Sequence, residues 1–307
     1  MPAAVAQRQE TGRERLESYF TVPSGRISDK PIGMEVETSF LNEEGKPISI
    51  QQSQAIFKTL VDHGWNVTQM KGSLISTISD RRGNKLLYEV GRQNLEIATL
   101  AGSRQLIIHE CRDLLERLYV VAKRVGAYPL FKPIVDTTED LLVIPDERDA
   151  IWDQLDGREA LKMIAWMSAV QFTVEIPADK AIDCINRLGC AIDDFLADYP
   201  QDKIWRDYIA TSKADYRSDR YGGPLAFADL RHYCAEIAKH DVVVGPKLVP
   251  FDQVANLDIP LHLRSVWWYF RLRRYGDRLC IEVRPLPRRA DSRLQNQLNF
   301  VLETLAL

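Results

Sequence analysis

Four separate segments of this chain alternate apolar residues with carboxylates, glutamine or arginine. They are Ile32-Gly33-Met34-Glu35-Val36-Glu37, Tyr88-Glu89 running to Leu95-Glu96, Val170-Gln171-Phe172-Thr173-Val174-Glu175, and Ile281-Glu282-Val283-Arg284. A two-residue period specifies β-strands, in which residues two apart share a face. Glu35 and Glu37 therefore point one way while Met34 and Val36 point the other, and Glu282 and Arg284 oppose Ile281 and Val283 in the same manner. If these strands share one sheet, one of its faces gathers several glutamates and at least one arginine. Like charges at that density repel, and divalent cations carrying a polyphosphate relieve the repulsion.

A solvated sheet face also alternates polar and apolar residues. Such a face normally mixes lysine, threonine and serine with its acids, yet the segments 32–40, 88–99, 169–176 and 279–287 contain no lysine. A few arginines and metal are left to balance the acids, and the pattern favours a metal-bearing site. The formal net charge of −3 over 307 residues argues for neither a nucleic-acid nor a membrane-surface partner. No apolar run approaches the roughly 18 residues of a membrane span, and the start of the chain lacks the apolar core of a signal peptide, so a soluble cytoplasmic protein is expected. Cys111, Cys184, Cys190, Cys234 and Cys280 form no C-x-x-C pair and read as reduced thiols filling core positions. The five histidines show no zinc spacing. The available ligands are oxygen, which suits Mg²⁺ or Mn²⁺.

Along the chain, residues 7–20 predict a short amphipathic helix within an N-terminal extension (1–30), ahead of one domain spanning 31–307. Helices are predicted over 52–63, 103–125, 157–167, 179–198, 224–239 and 291–305, and a loop-rich stretch over 126–156. Strands are predicted at 66–70, 74–79 and 86–90, and over 265–273, where Tyr269, Arg271 and Arg273 share a face. Glu89 and Glu96 are seven apart, so one flat strand would place them on opposite faces. Gly91 between them is a natural site for a kink or bulge that re-aims the chain. Strands and helices mingle without βαβ regularity, which points to an α+β fold with a mostly antiparallel sheet. Trp267-Trp268 reads as packing, Tyr221-Gly222-Gly223-Pro224 as a turn, and Arg81-Arg82, Arg273-Arg274 and Arg288-Arg289 as solvated pairs.

These residues, taken in order, resemble the glutamate–cysteine ligase family of the glutamine-synthetase-like fold. The matching pieces are Gly33-Met34-Glu35-Val36-Glu37, Tyr88-Glu89 with Leu95-Glu96-Ile97-Ala98-Thr99, Ser168-Ala169-Val170-Gln171, Trp267-Trp268-Tyr269-Phe270-Arg271, and Glu282-Val283-Arg284. The resemblance implies ATP- and Mg²⁺-dependent amide formation on a curved, mostly antiparallel sheet with helices on one face. Glu35, Glu37, Glu89, Glu96 and Glu282 would match the family's metal-binding acids, with Gln171 as a neutral ligand. Arg284 would contact nucleotide phosphates. Arg271, and one of Arg217 or Arg220, are weaker matches for phosphate or substrate carboxylate. Implied partners are small molecules, an amino acid and an amine, with a homo-oligomer left open. The family loops that bind the acceptor amine have no match here, so cysteine is not secured as acceptor.

The chemistry fits the residue types. ATP converts a carboxylate into an acyl phosphate, in-line phosphoryl transfer needs cations near the developing charge, and an amine then displaces phosphate without a side-chain nucleophile. Two rival readings are a non-catalytic nucleotide-binding homologue and a metal-dependent phosphotransferase or hydrolase on the same fold. On the ligase reading, Glu35→Ala or Glu282→Ala abolishes ATP turnover and leaves the fold intact.

Overall fold

The computed structural model describes residues 11–23, 25–143 and 147–307, with the backbone alone for 147–149. The chain opens with α1 (Gly12–Phe20), where the Thr11 hydroxyl accepts from the Glu14 N–H and the Glu14 carboxylate accepts from the Thr11 N–H. Leu16 and Phe20 of this helix are buried in the main core, so it is packed into the domain. The predicted start at residues 7–10 lies outside the described residues. There follow β1 (Ile32–Leu41) and α2 (Ile50–Asp62), the latter begun by a second capping box between Ser49 and Gln52. A meander comes next: β2 (Asn66–Lys71), β3 (Leu74–Ser79), β4 (Lys85–Tyr88) and β5 (Asn94–Ala98).

Helix α3 (Ile107–Arg124) and the short β6 (Tyr128–Leu130) precede α4 (Glu147–Asp156), α5 (Arg158–Ile164) and β7 (Ala169–Ile176). Then come α6 (Ala181–Cys190), α7 (Ile192–Leu196), α8 (Gln201–Thr211), β8 (Tyr221–Gly222), α9 (Leu230–Ile237) and a hairpin of β9 (Val242–Val244) and β10 (Lys247–Val249). The chain closes with α10 (Ile259–Leu263), β11 (Trp267–Trp268), β12 (Phe270–Tyr275), β13 (Arg278–Pro287) and α11 (Leu294–Leu305).

Among the described residues the main sheet has nine strands in the order β12-β13-β7-β1-β5-β4-β3-β2, with β6 paired to the end of β1. Every pairing in it is antiparallel. The fold is therefore α+β on a mostly antiparallel sheet. One face of the central strands is the core: Met34, Val36, Ile97, Phe172, Val174, Leu272, Ile281 and Val283 are all buried. Helices α1, α2, α3, α6 and α7 pack on that side, and α11 packs on α6. Each such side chain contributes about 1.5–3 kcal/mol by leaving water. The period-2 reading of the acidic strands is thus realised on the inner face.

Several elements depart from expectation. The loop-rich stretch 126–156 contains β6 and α4. Helix α8 went unread because its sequence is mostly polar; it starts just after Pro200 and carries the i,i+4 ion pairs Asp202–Arg206 and Lys203–Asp207. Helix α3 begins four residues later than predicted, because Gly102 still exchanges backbone hydrogen bonds with Ile32 and the chain turns over 103–106. The predicted strand 265–273 is broken: Trp267 and Trp268 pair in parallel with Tyr221 and Gly222, and β12 starts only at Phe270. Cys111, Cys184, Cys234 and Cys280 are buried and free as expected, whereas the free Cys190 is exposed. Among the described residues no helix is long and apolar enough to cross a membrane.

Candidate active site

Strand register sets the outer face. Gln171 of β7 lies opposite Glu35 of β1, and Glu35 lies opposite Ala98 of β5, which in turn faces Lys85 of β4. One step along, Glu37 lies opposite Glu96, and Glu96 opposite Leu87. On the other flank Arg271 lies opposite Glu282, and Glu282 opposite Thr173. Five strands therefore present Glu35, Glu37, Glu96, Gln171, Glu282 and Arg271 to one cavity of ≈ 560 Å³.

Two local irregularities complete the set. Tyr88-Glu89 and Leu95-Glu96 do not lie on one kinked strand. The chain reverses between them in a hairpin, with the Glu89 N–H donating to the Asn94 carbonyl and the Asn94 N–H to the Gly91 carbonyl. Gly91 adopts φ +100°, and a Cβ there would sit 2.7 Å from Gln93 Oε1 and 3.2 Å from Ala165 Cβ, so glycine is required. Reversal, rather than a bulge, returns Glu89 to the side of Glu96, and both line the cavity. The second irregularity lies between Val283 and Leu286, where the register with β7 shifts. Arg284 and Pro285 together oppose Gln171, a position where proline is tolerated. The extra residue lets Leu286 return to the core while Arg284 stays on the cavity face.

Hydrogen bonds tie these groups into a line. Arg284 Nη1 donates to Gln171 Oε1 at 2.7 Å and to Glu282 Oε1 at 3.1 Å. Gln171 Nε2 donates to Glu37 Oε1 at 3.0 Å, and the Ala169 N–H donates to Glu37 Oε2 at 2.7 Å. Arg271 holds the other oxygen of Glu282, through Nε at 2.8 Å and Nη2 at 2.5 Å, while its Nη1 donates to the carbonyls of Leu263 and Val266. Arg273 adds a longer contact to Glu282, at 3.9 Å.

The acids consequently divide. Burial and then the charge of Glu282 push Glu35 up to about 7, against the pull of Arg284. Burial and then Glu89 push Glu37 up to about 8, although the Ala169 N–H, Arg284 and Gln171 act the other way. Glu96 rises well above the usual carboxylate range through burial, then Glu35, Glu89 and Glu37. Glu282 is the exception: burial opposes its charge, but Arg271, Arg284 and Arg273 outweigh it and hold the carboxyl at about 2. In three glutamates burial and neighbouring acids thus outweigh Arg284, and in the fourth three guanidiniums outweigh burial.

Arg220 and Arg217, predicted as candidates, lie outside the cavity lining. Arg220 is 2% exposed and spends its donors on the Ser265 carbonyl and hydroxyl and the Asp241 carbonyl, with its guanidinium 4.6 Å from the Tyr216 ring. Arg217 pairs with Asp219. Arg220→Ala is expected to lower unfolding stability by about 2–4 kcal/mol, because it leaves a cavity and unpaired carbonyls. Denaturant unfolding of the variant and the wild type checks this.

The reading of arginine pairs as solvated also needs correction. Arg273 lines the cavity. Arg288 is fully buried, donating to the Thr38 and Tyr119 hydroxyls and to Asp291. Arg264, Lys71 and Lys85 line the cavity too, so lysine enters from outside the acidic segments. Arg273 shares parity with Arg271, and that alternation was the available signal for it. Trp268 is buried packing as read, with its indole N–H donating to the Asp219 carbonyl. Trp267, by contrast, is half-buried at the cavity wall.

No protein-family model matches the chain, and no curated protein matches it. Among solved structures the chain is similar to the glutamate–cysteine ligase of Francisella tularensis in complex with AMP. That match has a TM-score of 0.48 at 10% identity and covers 86% of this chain and 62% of that one. A GmaS–ADP complex matches with a TM-score of 0.31 at 12% identity, over 62% of this chain and 42% of that one. This chain therefore spans less than two thirds of either.

Among the described residues no group of three or more His, Cys, Asp or Glu side chains forms a ready-made metal cage. The donor set nonetheless suits a hard cation that keeps its own waters: carboxylate oxygens on one face, their pKa values raised by burial and then by neighbouring acids. Proton linkage makes this testable. Between the ordinary 4.5 and about 8, the folded protein retains protons on Glu35 and Glu37 that the unfolded chain has lost. Stability therefore falls as pH rises through that window in the absence of divalent ions. Glu282 has the opposite sign, but its stabilisation is lost only as pH falls towards about 2. Thermal unfolding should show a lower Tm near pH 8 than near pH 6, with millimolar Mg²⁺ restoring more at the higher pH. A Tm that rises with pH and ignores Mg²⁺ contradicts the electrostatics.

Proposed function

We propose that this cavity is the site of an ATP-dependent carboxylate–amine ligase, with the γ-carboxylate of glutamate as the donor. The observation that carries the reading is the composition of a single sheet face. Acids pushed above the usual carboxylate range (Glu35, Glu37, Glu96) adjoin a guanidinium cluster (Arg271, Arg273, Arg284) in a cavity of ≈ 560 Å³, and among the described residues no histidine or cysteine lines it. That volume lies in the range of small-molecule sites, about 300–1,000 Å³. A lining without histidine or cysteine is suited to chemistry in which the substrates supply nucleophile and leaving group.

The overall reaction joins a carboxylate and an ammonium with ATP, giving an amide, ADP, phosphate and one proton. The carboxylate oxygen attacks the γ-phosphorus and the bond to ADP breaks. The amine, having lost one proton, then attacks the acyl carbon, the bond from carbon to the phosphate oxygen breaks, and the nitrogen loses its second proton. Mg²⁺ or Mn²⁺, when bound by Glu35, Glu37, Glu89 and Glu96, supplies charge neutralisation for the triphosphate. Arg284 and Arg273 reach the cavity as cations for the transferred phosphoryl group, where planar guanidinium donors match its oxygens. Gln171 fixes Arg284 and Glu37 relative to one another. Arg271, its donors engaged by Glu282 and two carbonyls, acts as a positioning residue.

Isotope transfer tests the reading. With glutamate labelled with ¹⁸O in its side-chain carboxylate, an acyl phosphate delivers one label atom to the released phosphate. Unlabelled phosphate with ADP would identify a hydrolase, a stable phosphorylated acceptor a phosphotransferase, and bound ATP without turnover a non-catalytic homologue.

A further inference from the structure

Part of the cavity lining is aromatic and apolar. It comprises Trp152 of α4, Leu161 and Ile164 of α5, Trp205 and Tyr208 of α8, and Trp267 of β11. Trp152, Trp205 and Trp267 are only partly buried. Trp267 stands between the other two indoles, with ring centroids 5.9 Å from Trp152 and 5.6 Å from Trp205, and Tyr208 lies 5.5 Å from it. These rings are tilted or edge-on to one another, at 52°, 35° and 73°. Trp205 already stacks on Tyr221, and Trp267 also meets Tyr216 and the Arg220 guanidinium, so the surface a further ring can take is the part of the partly buried indoles that lines the cavity. A surface of this kind is wasted on ammonia or methylamine.

The cavity lining also holds acids and a hydrogen-bond acceptor. Glu37 and Glu89 line the same cavity. Gln201, four residues before Trp205 on α8, is fully buried and also lines the cavity. Its Nε2 donates to the Ser168 carbonyl at 2.9 Å, which fixes the amide orientation, and its Oε1 has no hydrogen-bond partner. A buried acceptor left unpaired is costly and calls for an N–H donor.

We infer that this part of the cavity is the acceptor subsite, and that it takes a primary amine bearing an aromatic ring. The ring packs on Trp152, Trp205 and Trp267, and the ammonium donates to Gln201 Oε1. The inference rests on the ligase reading, and its test separates the two.

The protein is assayed with Mg²⁺-ATP and glutamate, using 2-phenylethylamine, ethylamine, cysteine and hydroxylamine as nucleophiles. Hydroxylamine needs no side-chain pocket and traps the acyl phosphate as a hydroxamate. The expected result is hydroxamate formation together with a KM for 2-phenylethylamine at least about 10-fold below that for ethylamine, from burial of one phenyl group. Trp152→Ala and Trp205→Leu should each shrink that ratio towards one, a readout that partial misfolding does not mimic. Hydroxamate without preference for the aromatic amine, or cysteine as the best acceptor, overturns the inference and leaves the ligase standing. So does a Trp152→Ala variant whose KM rises for ATP instead. Absence of hydroxamate with full folding removes the ligase reading and the inference with it.

Discussion

Glu282→Ala is expected to lower the unfolding free energy by about 3–5 kcal/mol, because it leaves buried guanidiniums without their counter-charge. Arg271 is 3% exposed and puts two donors on Glu282, while Arg284 and Arg273 contact the same carboxylate. Removing that carboxylate strands three like charges on neighbouring strands. The sequence-based expectation that this variant abolishes turnover with the fold intact is thereby revised: turnover goes because the site's frame loosens. Denaturant midpoints of the wild type and the variant measure the cost. A loss below about 1 kcal/mol, the value of an exposed ion pair, would show that the arginines are not held as described.

Glu96→Gln should behave in the opposite way. Glu96 is 6% exposed and is pushed up by burial and by Glu35, Glu89 and Glu37, so a neutral amide of the same shape removes repulsion. Without divalent ions the variant is expected to be at least as stable as wild type near pH 8. It also deprives the face of an anionic oxygen for a hard cation, so turnover should fall by about 10²–10³-fold, the scale of losing one preorganised electrostatic group. Tm without Mg²⁺ and kcat with it, read on one preparation, check both directions. A destabilised Glu96→Gln that retains its kcat contradicts the division of the acids.

The contrast between these two residues shows what the sequence could carry. Alternation in β1, β7 and β13 was legible because one face of each strand is core, so parity alone assigned Glu35, Glu37, Gln171, Glu282 and Arg284 to the other face. Parity could not say which acids would meet arginine. Glu282 differs from Glu96 through the neighbouring β12, and that pairing is a fact of register. Glu89 was legible as a problem, seven residues from Glu96, but its solution as a hairpin depended on Gly91 and on backbone bonds invisible to periodicity. Arg220 was misplaced because an arginine near a Gly-Gly turn looks alike in sequence whether it serves a ligand or three backbone and hydroxyl acceptors. The aromatic wall draws on helix α8, whose polar sequence hid it, and on α4, which lay within a stretch read as loop.

The central claim is tested most directly by ADP release from the purified protein with Mg²⁺-ATP. Glutamate alone is compared with glutamate plus each amine, and products are identified by mass. The account predicts ADP formation that depends on both substrates and a product whose mass equals glutamate plus amine less one water. ATP that binds but is not turned over with any amine, or ADP formed at the same rate without glutamate, would contradict it.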